Sequence, residues 1–433
     1  MHSVDESISP GTSAANKARN DFLRMAVSFS ITHGCAVTML AYATTLLSEH
    51  AGLVGNGVLY VSTFISSLFF AAPAIQTIGY HKGLLMGLGF YSLYVLSFFL
   101  SLFAPTGVQV ALFSLGSFVG GLGAGVMWTS QGGYMTYTAG FIASWTSEPR
   151  SEITTMLASQ FATVYLVGEM IAKLGFSGLQ YCGLHDQFIC LLLLVMCVLS
   201  TMTLLTVAAP DTPEQDETKS DPMAKLWAVM KLWPDPKLWL LAPGNVTFGF
   251  SSAFINGIFV SRYVVPALGE GSVGLLSATT VLSASLAVPA FGYLGTRFGR
   301  GLVVFIGAIS FLLISLFVSS KMANTWKIQL VLFYLLQGVG RAVYESTNRA
   351  IFSDFFQGAP DGAFANVVIQ ASISPAICFF LSDTLQESAI LMMSSVSAVL
   401  IMVGYPLAIL IRGGAETLPL LGPGTSMISK AGS

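Results

Sequence analysis

Arg341, Glu345 and Arg349 recur at i, i+4 and i+8 inside an otherwise apolar stretch, 328–352. On a helix that spacing aligns side chains along one face, where groups four residues apart meet. An ionised side chain within a membrane helix is costly unless it is paired or faces water, so such groups are functional candidates by default. Counting from Ile328 at ~1.5 Å per residue puts Arg341 ~20 Å along the helix. Two readings are open for the pair. In one, Arg341 binds an anionic group of a solute and Glu345 is its partner or a protonatable switch. In the other, the two satisfy each other and only fix helix packing. Arg349 reads as an inner-boundary residue.

Other polar groups sit in apolar runs. Glu169 and Lys173, again i and i+4, read as a structural pair, with Lys173 reaching toward the outer interface. His33 is an imidazole in an apolar run, and is either a proton-coupling group or a hydrogen-bonded packing residue. Gln131 and Asn348 are amides that either bridge helices or contact a solute. Asn245 begins a formal glycosylation sequon, Asn-Val-Thr, but lies within a span. No nucleophile–base pair, metal-ligand spacing or Walker phosphate loop stands out, so no catalytic residue, metal or cofactor is expected and the chain does not read as an enzyme.

The elements that carry these groups follow from composition. Of 433 residues, 54% are hydrophobic and 9% are charged, with a net charge of −2. So little charge cannot solvate a soluble surface, and so much hydrophobicity excludes disorder. A near-neutral balance gives no reason to expect nucleic acid as a partner. Windows of about 20 apolar residues give twelve spans, so the expected class is an all-α integral membrane protein. Residues 1–24 read as an N-terminal tail, 25–208 as six spans, 209–237 as a polar linker, 238–411 as six more spans, and 412–433 as a C-terminal tail. Met223, Leu226, Trp227, Met230 and Trp233 in the linker recur at helical spacing, as in an amphipathic segment lying on a leaflet. Most of the 19 Lys and Arg fall on one side of this topology, which places both termini in the cytoplasm.

The two halves repeat. Gly121-Leu-Gly123 and Gln131 match Gly338-Val-Gly340 and Asn348 at an offset of 217, and Gly83 to Gly89 resembles Gly301 to Gly307 at 218. Two homologous six-helix halves are the arrangement in which transporters hold a solute between repeats.

The loop Gly292-Tyr-Leu-Gly-Thr-Arg297-Phe-Gly299-Arg300 resembles the G-x-x-x-D-R-x-G-R signature of the major facilitator superfamily, with Thr296 in place of the acid. Its glycines permit a tight turn. Its arginines are candidates to lock one conformation by engaging acids or helix C-terminal carbonyls. The first-half counterpart, Gly79-Tyr-His81-Lys82-Gly83, is degenerate. Trp128-Thr-Ser-Gln131-Gly132 is similar to the Leu-Trp-Thr-Ala-Gln-Gly segment of the Unc-93-like family, a branch of that superfamily. The similarity extends through Gly87 to Tyr94, Arg297 to Arg300, Gly338 to Gly340 and Ala363 to Ala365. The resemblance implies a major facilitator fold, twelve transmembrane helices arranged as two six-helix pseudo-repeats. It also implies an acid after the Gly-x-Gly of span ten, where this chain has Arg341.

Glu416-Thr-Leu-Pro-Leu420-Leu421 resembles the acidic-dileucine sorting signal read by clathrin adaptors. It would direct the protein to endosomal, lysosomal or vacuolar membranes; a plasma-membrane residence is the other option. The expected function is transport of a small solute or ion by alternating access. The substrate or coupling candidates are Arg341, Glu345, Gln131, Asn348, His33 and Glu169, and the gating turn is Gly292, Arg297, Gly299 and Arg300. The alternative is a non-conducting regulatory or trafficking subunit that binds an ion channel or receptor in the membrane.

Overall fold

The computed structural model describes residues 10–208 and 227–412, and every regular element among them is a helix. Ten of these helices are long and apolar enough to cross a membrane. The expectation of twelve spans rests on two features beyond that criterion. One of the ten, Glu49–Ser101, is broken at Gly79, whose φ of 80° no L-residue adopts readily. The other is the helical stretch 331–355, which carries Arg341, Glu345 and Arg349 and falls short of that apolarity.

The chain divides into two compact units. The first takes in the residues before Met223 together with Gly269–Ala278, and the second takes in Met223–Leu268 and Thr279 onward. The first is built from α1 (Pro10–Leu46), α2 (Glu49–Ile65), a π-helical turn (Ser66–Phe70), α3 (Ala71–Ser101), α4 (Thr106–Trp145), α5 (Arg150–Tyr181) and α6 (Asp186–Leu204). Within it α4 packs on α2 and α3, and α1 packs on α5 and α6.

The second unit holds α7 (Pro236–Phe254), which continues through a π-helical stretch (Ile255–Val264) into α8 (Val265–Leu268). It also holds most of α9 (Ser272–Phe298), then α10 (Arg300–Ser319) and α11 (Val331–Val343). A second π-helical turn (Tyr344–Asn348) leads into α12 (Arg349–Phe355), followed by α13 (Pro360–Thr384) and α14 (Glu387–Arg412). Here α7 packs on α13 and α14, and α10 on α11 and α14.

The repeat-related glycines do the same work in each unit. A Cβ on Gly121 would lie 2.4 Å from the Leu59 carbonyl oxygen of α2, and one on Gly338 would lie 2.5 Å from the Thr280 carbonyl oxygen of α9. Glycine at these positions lets backbones approach, the small-residue packing expected of helices in lipid.

Two expectations about boundaries change. Residues 10–24, read as tail, belong to α1. A proline is tolerated at a helix start because its missing N–H has no partner there anyway. Beyond it Ala15 and Phe22 are buried, and Arg19 pairs with Glu148 at 2.8 Å. The polar sequence therefore hides a helix that extends past the apolar span and is held by tertiary contacts. In the linker, Met223 and Leu226 lie outside the described residues. From Trp227 the chain makes a helical turn on the start of α13, where Asn366 donates to the Val229 carbonyl (3.1 Å) and accepts from the Trp233 indole (3.1 Å). Val229 is buried there while Trp227 and Trp233 face outward.

Candidate functional site

Span ten positions the principal charges at a break in its own hydrogen-bond ladder. Arg341 closes α11, and Glu345 and Asn348 lie in the π-helical turn that follows. Such a turn inserts one residue into the helix and is frequent at functional sites. The Arg341 Nε donates to Glu345 Oε1 at 2.9 Å, with the two side chains 12% and 27% exposed. The pair is thus mostly enclosed by protein and only partly exposed. Arg349 follows at the start of α12. It is exposed, with its guanidinium 6.0 Å from the Tyr344 ring centre. Tyr344 stacks on Phe248 of α7 at 3.9 Å and 11°.

Behind the charged pair runs a chain of neutral amides. Asn348 donates to Asn245 Oδ1 (2.7 Å), and Asn245 donates to Gln370 Oε1 (2.7 Å), linking α12's approach, α7 and α13. All three are buried, and Gln370 Nε2 has no partner. A second chain lies nearer the start of α11. Ser251 donates to Gln337 Oε1 (2.6 Å), and Gln337 donates to Ser252 Oγ (2.7 Å). Asn348 also lines a cleft with Tyr344, Tyr405 and apolar side chains such as Val304, Phe311, Val343 and Ile401. Of these groups the sequence reading singled out Asn348. Asn245 entered only as a sequon, and Gln370 and Gln337 gave no signal beyond an amide in an apolar run.

In the first unit, His33 sits within an aromatic cluster drawn from four helices. Its ring centre is 5.9 Å from Phe29, 5.9 Å from Tyr91 of α3, 5.4 Å from Trp128 of α4 and 5.0 Å from Tyr165 of α5. Phe161 adds a further ring, parallel to Tyr165 within 2°. His33 is buried, whereas Trp128 is 38% exposed. Gln131 is buried on α4, one turn beyond Trp128. Glu169 and Lys173 meet at 2.7 Å and both are buried, so this pair is more enclosed than Arg341–Glu345. The sequence reading found His33 and Trp128. It missed Phe29, Tyr91, Phe161 and Tyr165 because single aromatic residues in apolar helices carry no spacing signal.

The turn between α9 and α10 has the expected glycine geometry, with Gly299 at φ 87° and ψ 151°. Gly79, at the break inside α3, has nearly the same conformation, φ 80° and ψ 166°, so the degenerate first-half motif turns the chain in the same way. Their side-chain locks differ. Arg300 forms an ion pair with Asp354 at the end of α12, which supplies the acid that Thr296 does not. In the first unit the Tyr80 ring covers Gly133 so closely that a Cβ there would overlap it, and His81 Nε2 lies 3.1 Å from the Leu204 carbonyl. Arg297 lies along Phe298, and Gly292 faces open space. The acidic-dileucine candidate Glu416, Leu420 and Leu421 lies outside the described residues.

Known proteins resemble the chain in sequence and in fold. The family described as Major Facilitator Superfamily matches residues 241–418. Protein unc-93 homolog A of Bos taurus is 25% identical over 380 residues, covering 78% of this chain and 81% of its own length. UNC93-like protein 3 of Arabidopsis thaliana is 24% identical over 372 residues, covering 80% and 77% respectively. A shorter match of 117 residues, 31% identical, covers 27% of this chain and 23% of the sphingosine-1-phosphate transporter SPNS2 of Danio rerio. Among solved structures, the nucleoside transporter NupG aligns with a TM-score of 0.65 at 13% identity, over 91% of this chain and 99% of that one. The POT family transporter PepTSo aligns at 0.62 and 12% identity, over 91% and 97%. At these identities the structural likeness speaks for the fold.

Proposed function

The chain belongs to the Unc-93-like branch of the major facilitator superfamily, and from that premise we propose that it is a secondary transporter moving a small solute or ion by alternating access. The observation that carries this reading is the Arg341–Glu345 pair, set at a π-helical turn and left partly exposed. A pair with only a structural task gains nothing from that exposure, whereas a solute-binding arginine needs it. In this reading Arg341 meets an anionic group and Glu345 neutralises the arginine while the site is empty. Gln131 and Asn348 supply neutral hydrogen bonds. Arg300 with Asp354 holds the α9–α10 turn in one state and releases it in another. The similarity to three proteins whose own names describe them as transporters supports the class of activity but assigns no solute.

The same reading keeps both termini in the cytoplasm, by the distribution of Lys and Arg. There a clathrin adaptor would be the partner of Glu416, Leu420 and Leu421. The test of the functional class is a thermal-shift screen of the purified protein across ions and small anions, because a ligand that binds the folded state raises its stability. Stabilisation by a solute supports transport. A blank screen together with a co-purifying channel or receptor would overturn it in favour of a regulatory subunit.

A further inference from the structure

The cluster around His33 has an internal order that points to a ligand class. Phe29 and Tyr91 lie within 22° and 28° of the His33 plane, and Phe161 and Tyr165 are parallel within 2°. Trp128 stands across four of these five rings. It meets Phe29 at 71°, His33 at 81°, Phe161 at 82° and Tyr165 at 83°, with centres 4.9 to 6.3 Å away. No ring among the described residues stacks parallel to the indole, and the indole is also the most open of the group, 38% exposed against 0% for Phe29 and 7% for Phe161. Aromatic rings prefer offset-stacked or edge-to-face neighbours. Here the edge-to-face contacts are filled from inside the unit and a stacked neighbour is missing.

Its place on the chain is a second, independent observation. Trp128 lies 217 positions before Glu345, the offset that relates Gln131 to Asn348 and Gly121 to Gly338. The same helical position thus carries an indole in one repeat and a carboxylate of the charged pair in the other. The ring neighbours of the indole are Phe29, His33, Phe161 and Tyr165. A flat ring is the neighbour that would complete this aromatic set at the partly exposed indole.

We propose that Trp128, framed by Tyr165 and His33, stacks on a planar aromatic ring of the solute, so that the substrate class is an aromatic organic solute rather than an inorganic ion. This inference rests on the transport reading above and narrows it.

The test is equilibrium binding of tritiated tryptamine and tritiated indole-3-acetate to the full-length protein in nanodiscs, with their saturated-ring analogues and tetramethylammonium as competitors. At least one aromatic probe should bind, with its saturated analogue at least tenfold weaker. Trp128→Leu should weaken binding at least tenfold, and Trp128→Phe should stay within about threefold of wild type. The unliganded melting temperature of each variant separates a lost site from a lost fold. Absence of binding by either probe, equal competition by the saturated ring or by tetramethylammonium, or wild-type affinity in folded Trp128→Leu would overturn the proposal. Proteoliposome uptake distinguishes this failure from failure of the transport reading. A non-aromatic solute carried equally well by Trp128→Leu sinks the inference alone, and an aromatic probe that binds at Trp128 but is never carried sinks transport alone.

Discussion

Arg300 at the start of α10 forms an ion pair with Asp354 at the end of α12, within the second unit. Each side chain is about one-third exposed, so the pair joins two helix ends without being buried. Gly299, at φ 87°, turns the chain so that Arg300 opens its helix facing that acid.

If this contact locks the turn, Asp354→Asn should release it while leaving the fold intact. An exposed pair contributes only ~0.2–1 kcal/mol to stability, so the melting temperature should shift little. Labelling of a single cysteine placed in the α9–α10 turn should accelerate severalfold in the variant. The double reversal Arg300→Asp with Asp354→Arg should restore the slow rate. Equal labelling in all three proteins would remove the locking role.

The buried pair Glu169–Lys173 predicts the opposite balance. Removing one partner strands a charge inside the unit, which costs ~3–5 kcal/mol, whereas replacing both with neutral residues of similar size is far less harmful. Lys173→Met should therefore lower thermal stability strongly, and Glu169→Gln combined with Lys173→Met should recover most of it. A double variant as unstable as Lys173→Met would show that Glu169 has a task beyond the pair.

The amide chain Asn348–Asn245–Gln370 should be energetically coupled. Interhelical hydrogen bonds in membranes are worth ~0.6 kcal/mol on average and up to ~1.7. Asn245→Ala and Asn348→Ala should each destabilise, and a double-mutant cycle between them should return a coupling in that range. Additive losses would mean that the 2.7 Å contact carries no net energy.

Glu270, between α8 and α9, has its carboxyl pushed above the usual carboxylate range, first by partial burial and then by the negative charge of Asp186. A raised folded-state value means that the folded chain holds this proton more tightly than the unfolded chain. Stability from this group is therefore present at low pH and is lost as pH rises from the ordinary carboxylate value through the folded one. Glu270→Gln should flatten that part of the profile and leave the variant relatively more stable at neutral pH. Melting temperatures of the two proteins across that window check the sign, and parallel profiles would contradict it.

Much of this was legible in the chain because charge is scarce. Arg341, Glu345, Glu169 and Lys173 stand out in apolar sequence, and helical spacing alone paired each acid with its base. The turn at Gly299 was readable as well, since its glycine and arginines share one short motif. What the sequence hid has physical causes. Asn245 and Gln370 are partners of Asn348 through tertiary approach of α7 and α13, which no local spacing encodes. Asp354 lies 54 positions from Arg300 and looks like an ordinary helix-end acid. The π-helical turn is invisible to an argument that assumes 3.6 residues per turn. The start of α1 was hidden because its polar residues are held by distant partners such as Glu148.

The central claim is that Arg341 contacts the transported solute. Its most direct test is uptake into proteoliposomes of the solute that stabilises the purified protein, comparing wild type with Arg341→Ala and Arg341→Lys. Wild type should accumulate the solute, Arg341→Ala should take it up at least tenfold more slowly and Arg341→Lys should retain part of the rate, with all three proteins inserted and folded to the same extent. Uptake by folded Arg341→Ala at the wild-type rate would contradict that claim.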